Sequence, residues 1–240
     1  MANNYFNFKA FSIQQEGCAM KVCTDSCLFG AWVAEYIFRK EFPIKNLLDI
    51  GTGTGLLTLM LAQKTTADII AIEINKTAAA VAKENILTAA FINNFQIIEE
   101  DILHFVSNES FEFIISNPPF YDSDLTSVDE RINTARHSSG LTIEALAKQC
   151  ASLSSDIGEV ALLAPYKREK AFVESMLNEG FYLHKVCRVR HSAKKSFIRS
   201  ILLFTKQRSL IEETEIVIKE EQNNYSPIFK NLLSDYYLDL

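Results

Sequence analysis

The segment NLLDIGTGTGLLTLMLAQ, residues 46–63, holds the feature that decides the fold. Its first five residues form a short apolar run closed by Gly51, which predicts a buried strand. The residues from Thr54 to Gln63 predict a helix, and the glycines before it allow a sharp turn. A loop of this kind lets a ligand lie against main-chain N–H groups at the start of a helix. The segment therefore predicts the strand–loop–helix unit of a ligand-binding α/β fold.

Strands and helices alternate along the rest of the chain. After residue 63 we predict strands over 68–73, 95–98, 111–115, 159–163, 181–189 and 197–205, and helices over 76–90, 142–153 and 167–178. The short connections predict a Rossmann-like α/β fold: a mostly parallel, seven-stranded sheet with an antiparallel edge strand and helices on both faces. We predict one domain over 1–240, with an N-terminal segment and helix (1–45), a sheet core (46–208) and a C-terminal extension (209–240).

Composition excludes several classes of protein. The 240 residues are 48% hydrophobic, enough to bury a full core, and no run approaches the roughly 18–20 apolar residues of a membrane span. The first residues lack the basic end and apolar run of a secretory signal. The cysteines predict free thiols in a reducing cytoplasm, and the spacing of Cys18, Cys23 and Cys27 fits no closed zinc set. We therefore expect a cytoplasmic protein with no metal.

The spacing of the glycines indicates which ligand the loop binds. A dinucleotide site needs a glycine at position 56, where this chain has Leu56. Glycine instead occupies positions 51, 53 and 55, and Asp49 stands two residues before the first of them. This pattern resembles the first signature of class I methyltransferases, which bind S-adenosylmethionine. The resemblance implies that Gly51, Gly53 and Gly55 face the methionine part of that cofactor, and that Asp49 organises its ammonium end.

Two further acids follow the next two predicted strands. Glu73 ends the second strand and Asp101 follows the third, so both fall at the carboxyl edge of the sheet, where open α/β sheets bind ligands. We expect Glu73 to accept hydrogen bonds from both ribose hydroxyls of the cofactor. The resemblance to class I methyltransferases implies that Asp101 accepts a hydrogen bond from the adenine amine.

The turn Asn117-Pro-Pro-Phe120 directly follows the fourth predicted strand. Because proline fixes φ and has no N–H, Pro118 and Pro119 predict a rigid turn rich in acceptors. The Asn117 side-chain oxygen and the Pro118 carbonyl can hold the two N–H bonds of a planar amine and stabilise the charge that develops during transfer. Phe120 offers a ring on which a planar target can stack. The motif resembles that of methyltransferases acting on adenine N6, guanine N2, cytosine N4 and glutamine N5.

A resemblance to one family extends over nearly the whole chain. It is found in Phe8-Lys-Ala-Phe11, in Met20-Lys-Val-Cys-Thr-Asp-Ser-Cys-Leu-Phe-Gly-Ala-Trp32, in Ala135-Arg-His137, and in the ending with Tyr225-Ser226 and Tyr236-Tyr-Leu238. These segments resemble the bacterial tRNA adenine-N6 methyltransferases that modify adenine 37 of a valine tRNA. The resemblance implies that Lys21, Thr24 and Asp25 close over the cofactor. Cys23 and Ser26 stand where the family pattern has glycine, and Phe120 replaces its more usual tyrosine.

The net charge of −6 hides a basic stretch. No acid occurs from Phe181 to Ile211, and this stretch contains Arg190, Lys194 and Lys195 among other cations. A phosphate backbone needs only a local basic face, so we predict that these three residues contact tRNA. Arg136 and His137, in the loop after the Asn-Pro-Pro-Phe turn, are further candidates. Sequence alone does not decide whether the basic stretch lies at the same sheet edge as that turn.

Three other interpretations remain open at this point. A glutamine-N5 methyltransferase of a translation factor shares the Asn-Pro-Pro turn, but such enzymes usually have a helical domain before the sheet, and here only about 45 residues precede it. A guanine-N2 methyltransferase of ribosomal RNA is the second alternative. A non-catalytic RNA-binding or cofactor-sensing module is the third, although intact Asn117, Pro118, Glu73 and Asp101 argue against it. We expect a monomer.

Overall fold

A computed structural model describes residues 4–18, 20–119 and 140–240 of the chain. The strands are β1 (Tyr5–Asn7), β2 (Ser12–Gln14), β3 (Asn46–Ile50), β4 (Asp68–Glu73), β5 (Phe95–Glu99), β6 (Phe111–Ser116), β7 (Ser154–Pro165), β8 (Tyr182–Arg190), β9 (Phe197–Thr205) and β10 (Glu212–Val217). The helices are α1 (Thr24–Phe38), α2 (Leu56–Ala62), α3 (Lys76–Thr88), α4 (Ile143–Leu153), α5 (Glu169–Asn178) and α6 (Pro227–Leu233). The predicted strands and helices are therefore present, with ends that differ by a few residues.

The main sheet has eight strands in the order β10-β8-β9-β7-β6-β3-β4-β5. Strands β3 to β7 pair in parallel, which confirms the predicted mostly parallel sheet. The predicted antiparallel edge differs in detail, because β9 enters between β7 and β8 and pairs antiparallel with both. The edge itself is β10, which pairs in parallel with β8.

Strand β10 and the hairpin of β1 and β2 lie in segments where no strand was predicted. β10 has the sequence EETEIV, and its first four residues are exposed. Three of its acids pair with cations of β8: Glu212 with Lys185, Glu213 with Arg188, and Glu215 with Arg190. Cross-strand ion pairs thus add to the backbone hydrogen bonds of a strand that has little apolar surface to bury.

Apolar side chains fill both faces of the sheet. On one face α1 and α2 pack together with the N-terminal hairpin and the C-terminal segment. Tyr236, near the end of the chain, is fully buried there and donates a hydrogen bond to the Met60 carbonyl at 3.0 Å. On the other face α4 and α5 cover β6 and β7. No helix among the described residues is both long and apolar enough to cross a membrane.

One edge of the sheet gathers the functional segments. Strands β3, β4, β6 and β7 all end there, since Ile50 pairs with Ile72 and Ser116, and Ser116 pairs with Leu162. We call this edge the carboxyl edge. Strand β8 runs antiparallel to β9, as β7 does, so it points the same way as β7. The turn between β8 and β9, residues 191–196, therefore lies at the carboxyl edge as well.

Candidate active site

A cavity of about 370 Å³ opens at the carboxyl edge. Its lining includes seven of the residues predicted for the site: Gly51, Gly53, Glu73, Asp101, Asn117, Pro118 and Pro119. They come from the ends of β3, β4, β5 and β6, four strands that neighbour one another in the sheet. Cys18 and Met20 also line the cavity, although neither was predicted as a site residue. The topology therefore brings seven of the predicted site residues, from four strand ends, around one space.

The three loop glycines have different surroundings. All three have positive φ, which side-chain-bearing residues rarely adopt. A β-carbon added to Gly51 or Gly53 would meet no atom within 4 Å among the described residues, so both positions border open space at the cavity. Gly55 instead precedes α2 and lies against Ala82 of α3, at 3.5 Å from an added β-carbon. Two glycines thus form a cradle beside the cavity, and the third permits close packing of two helices.

Asp49 lies beneath the loop and is fully buried. Its Oδ2 accepts hydrogen bonds from the hydroxyls of Thr52 and Thr58, both at 2.7 Å. Its Oδ1 is buried and has no hydrogen-bond partner among the described residues. Burial raises the pKa of Asp49 to about 6, against the lowering effect of the two threonine hydrogen bonds. Asp49 therefore fixes the loop to α2 and leaves one carboxylate oxygen available.

The raised pKa of Asp49 predicts a pH-dependent stability. The folded protein favours the protonated carboxyl, so its stabilising contribution is present below the ordinary pKa of 3.8 and is lost as pH rises through about 6. We expect the unfolding free energy of the wild type, measured against Asp49→Asn by urea titration, to rise as pH falls from 7 toward 4. The slope between pH 4 and 6 should approach about 1.4 kcal/mol per pH unit. A wild type that instead loses stability relative to this variant on acidification would contradict the assignment, and Asp156→Asn is the exposed control.

Glu73 and Asp101 both bind backbone next to the cavity. Glu73 accepts hydrogen bonds from the Gly53 N–H at 2.9 Å and from the Asn75 N–H at 2.8 Å. Glu73 thereby connects β4 to the glycine loop, residues 51–55. Asp101 accepts from the Leu103 N–H at 2.9 Å. Since each carboxylate oxygen has two acceptor sites, both side chains can still accept hydrogen bonds from a ligand.

The Asn117 amide forms a hydrogen bond through its nitrogen, whereas its oxygen has no partner among the described residues. Its Nδ2 donates to the Ser26 hydroxyl at 2.9 Å. Its Oδ1 is buried and accepts no hydrogen bond from the described residues. Ser26 is itself buried near the start of α1, with its hydroxyl 3.0 Å from the Cys23 sulfur. Ser26 therefore holds the amide by its nitrogen and leaves the oxygen without a partner among the described residues.

The three residues predicted to close over the cofactor do not line the cavity. Lys21 and Thr24 are exposed where α1 begins. Asp25 accepts a hydrogen bond from Nε of Arg199 at 2.8 Å, and its other oxygen accepts from the Ser26 N–H at 3.1 Å. Asp25 thus connects α1 to β9. Sequence reasoning missed Ser26 and Arg199, because each acts through a contact between segments far apart in the chain.

The cations of the basic stretch are largely paired. Arg190 donates to Glu215 at 2.5 Å and to the Ala193 carbonyl at 3.0 Å. By contrast, Lys194 and Lys195 are exposed in the turn between β8 and β9, at the carboxyl edge. Phe120, Arg136 and His137 lie outside the described residues, so their predicted roles stay predictions. Among the described residues no group of three or more His, Cys, Asp or Glu side chains is arranged to hold a metal ion.

Known proteins place this chain in a family. The tRNA1(Val) (adenine(37)-N6)-methyltransferase of Christiangramia forsetii is 34% identical to it, over 100% of both chains. The enzyme of the same name from Tolumonas auensis is 36% identical over 99% of this chain and 98% of its own. This chain belongs to the tRNA1(Val) (adenine(37)-N6)-methyltransferase family. The family model for the Methyltransferase small domain matches residues 34–138, which include the glycine loop and Asn117.

Solved structures agree with this family's fold. A predicted O-methyltransferase from Agrobacterium tumefaciens superposes with a TM-score of 0.66 at 15% identity, over 88% of this chain and 96% of its own. A Thermus thermophilus 16S rRNA N2 G1207 methyltransferase, solved with AdoMet and guanosine, gives 0.57 at 17% identity, over 82% of this chain and 47% of its own. At these identities the likeness establishes the class I methyltransferase fold.

Proposed function

We propose that this chain transfers a methyl group from S-adenosylmethionine to N6 of adenine 37 in a valine tRNA. The observation that supports the chemistry best is the amide of Asn117, whose nitrogen is bound by Ser26 while its buried oxygen accepts no hydrogen bond from the described residues. The family relationship supports the choice of tRNA adenine over the other planar amines that share the Asn-Pro-Pro turn.

The cavity fits the proposed cofactor on several counts. Gly51 and Gly53 leave open space that a β-carbon would fill, and Asp49, two residues before Gly51, has an oxygen without a partner among the described residues. We assign the ribose hydroxyls to Glu73 and the adenine amine to Asp101, which both line the cavity. Asp49 holds the loop and offers a negative charge to the cationic end of the ligand. When bound, S-adenosylmethionine supplies a methyl group already activated by a sulfonium.

The residues of the turn prepare the nucleophile. The lone pair of an aromatic amine is delocalised into its ring, so the nitrogen is a poor nucleophile. We propose that Asn117 Oδ1 and the Pro118 carbonyl each accept one N–H of this amine. Two such hydrogen bonds draw the nitrogen toward tetrahedral geometry and stabilise the positive charge that develops on it. Because Pro118 and Pro119 fix the turn, both acceptors are held in place before the substrate arrives.

Ser26 should matter to the reaction through Asn117 alone. We expect Ser26→Ala to lower kcat about 5- to 10-fold, since one hydrogen bond worth about 1 kcal/mol no longer fixes the amide. The KM for S-adenosylmethionine should stay within twofold, because Ser26 does not line the cavity. Steady-state kinetics on a tRNA transcript measures both constants, with Ser152→Ala on α4 as control. An unchanged kcat would show that the amide needs no orienting partner.

The exposed lysines of the β8–β9 turn give a separate prediction. Lys194→Ala/Lys195→Ala should weaken binding to all tRNAs alike, because phosphate contacts carry no base information. The slope of log affinity against log salt should fall by roughly one to two, since up to two phosphate contacts are lost. Filter-binding titrations measure this slope, and Lys230→Ala on α6 is the control. An unchanged slope would place the phosphate contacts elsewhere.

One experiment tests the proposed function as a whole. The purified protein is incubated with methyl-labelled S-adenosylmethionine and an unmodified valine tRNA transcript, and the nucleosides are analysed by mass spectrometry. We expect N6-methyladenosine from this transcript and none from a transcript with guanine at position 37. A labelled protein glutamine without labelled RNA would overturn the proposal. We further propose a cytoplasmic monomer, and size-exclusion chromatography with light scattering tests the oligomeric state.

A further inference from the structure

A pair of aromatic rings stands at the carboxyl edge beside the candidate active site. Tyr166 is the first residue after β7, and Phe197 is the first residue of β9. Their ring centroids are 5.2 Å apart, with the planes inclined at 51°. Tyr166 is 38% exposed, although it is a large aromatic side chain. Nothing in the proposed transfer reaction uses these rings so far.

Arg190 packs against the ring of Phe197. The guanidinium carbon of Arg190 lies 5.2 Å from the centroid of Phe197. Glu215 of β10 and the Ala193 carbonyl in turn hold the two terminal nitrogens of Arg190. Arg190, Phe197 and Tyr166 thus form a row of side chains in contact that ends in one exposed ring. This arrangement gives Arg190 a supporting role and differs from the phosphate contact predicted from sequence.

Tyr166 follows the strand that pairs with the one ending just before Asn117. Strand β7 is the neighbour of β6, and Ser116, just before Asn117, pairs with Leu162, four residues before Tyr166. Arg199 of β9 pairs with Pro165 and binds Asp25. Asp25 precedes Ser26, which binds the Asn117 amide. Tyr166 therefore stands at the rim of the edge, one strand away from the residue proposed to grip the target amine.

Charge divides the carboxyl edge into two sides. Around the rings, Lys167 is exposed beside Tyr166, and Lys194 and Lys195 are exposed in the β8–β9 turn. Across the cavity, Glu73, Glu100 and Asp101 form an acidic side at the ends of β4 and β5. A phosphate backbone is attracted to the first side and repelled by the second. Among the described residues, Tyr166 therefore lies on the basic side of the carboxyl edge.

We propose that Tyr166 stacks on the nucleotide next to the methylated adenine in the tRNA anticodon loop. This inference rests on the proposed function. To reach the cavity the adenine must leave its base stack, so an adjacent base loses a stacking partner. The exposed ring of Tyr166, which packs against Phe197, can replace that stacking partner. Aromatic stacking is the usual means by which proteins hold single-stranded RNA. Lys167, Lys194 and Lys195 contact the phosphates on either side.

Kinetics of the full-length protein on an unmodified valine tRNA transcript test this inference. Tyr166→Ala should raise the KM for the transcript about 10-fold, the order of magnitude of one lost base–aromatic stack. Tyr166→Phe should keep the wild-type KM, since only the ring face is needed. Phe42→Ala is the matched control, because Phe42 is an aromatic residue 75% exposed, away from this edge. The affinity for S-adenosylhomocysteine, measured by calorimetry, should be unchanged in all three variants and shows that each is folded.

Abasic nucleotides at position 36 or 38 of the transcript identify the stacked base. One of these two abasic transcripts should raise the KM of the wild type by the same factor as the Tyr166→Ala substitution does. The same transcript should raise the KM of Tyr166→Ala little further. The inference would be overturned if the KM increases caused by the substitution and by the abasic nucleotide were additive. It would also be overturned by an unchanged KM for Tyr166→Ala while the wild type methylates adenine 37. A wild type that methylates no tRNA at all would overturn the proposed function and the inference together.

Discussion

We expect Asn117→Ala to lower kcat by about 10²–10³-fold while changing the affinity for S-adenosylhomocysteine less than twofold. The estimate is by analogy with the removal of one oriented oxyanion-hole donor, whose loss has an effect of this size. The Asn117 oxygen has no other partner among the described residues, so its hydrogen-bonding capacity is available to the target amine. Single-turnover kinetics on a tRNA transcript measures the rate, and calorimetry measures the affinity.

The chain contains a close control for this variant. Asn93 is also buried, donates through its Nδ2 to the Thr65 and Ala67 carbonyls, and has an Oδ1 with no partner among the described residues. It lies away from the carboxyl edge, beside the start of β4. Asn93→Ala should therefore lower the free energy of unfolding and leave kcat intact. Near-wild-type turnover of Asn117→Ala would remove Asn117 from the mechanism.

The parts of the fold predicted correctly are those with strong local signals. The run LLDI before Gly51 and the run FEFII before Asn117 are apolar and sharply ended, and both are buried strands. The glycines at 51 and 53 and the acid at 73 were placed at one edge by topology alone, and they do line one cavity. Residues at the ends of parallel strands are easy to place, because the sheet fixes where those ends meet.

The parts that sequence could not supply depend on contacts between distant segments. The acid-free stretch suggested a free basic face, but β10 returns to β8 and brings Glu213 and Glu215 to Arg188 and Arg190. Asp25 was assigned to the cofactor from a resemblance, whereas in the structure it binds Arg199 of β9. A local sequence pattern cannot show which charge will meet which, since strand order and register decide it.

We expect Glu73→Ala to raise the dissociation constant for S-adenosylhomocysteine about 5- to 150-fold, the equivalent of about 1–3 kcal/mol for a lost charged acceptor. Two effects contribute. The Gly53 and Asn75 N–H groups lose their carboxylate, which loosens the glycine loop. The ribose hydroxyls lose the acceptor that we assign to them.

A ligand without ribose hydroxyls separates the two effects of Glu73→Ala. Removing the 2′ and 3′ hydroxyls from S-adenosylhomocysteine should weaken binding to the wild type and have little further effect on the variant, because Glu73 no longer distinguishes the two ligands. The control is Glu99→Ala, since Glu99 is the exposed acid that pairs with Glu73 across β4 and β5. Calorimetry with both ligands on the wild type, Glu73→Ala and Glu99→Ala measures all the dissociation constants that this comparison needs. If the hydroxyls contribute equally with and without Glu73, the carboxylate supports only the loop, and the ribose is bound by another residue.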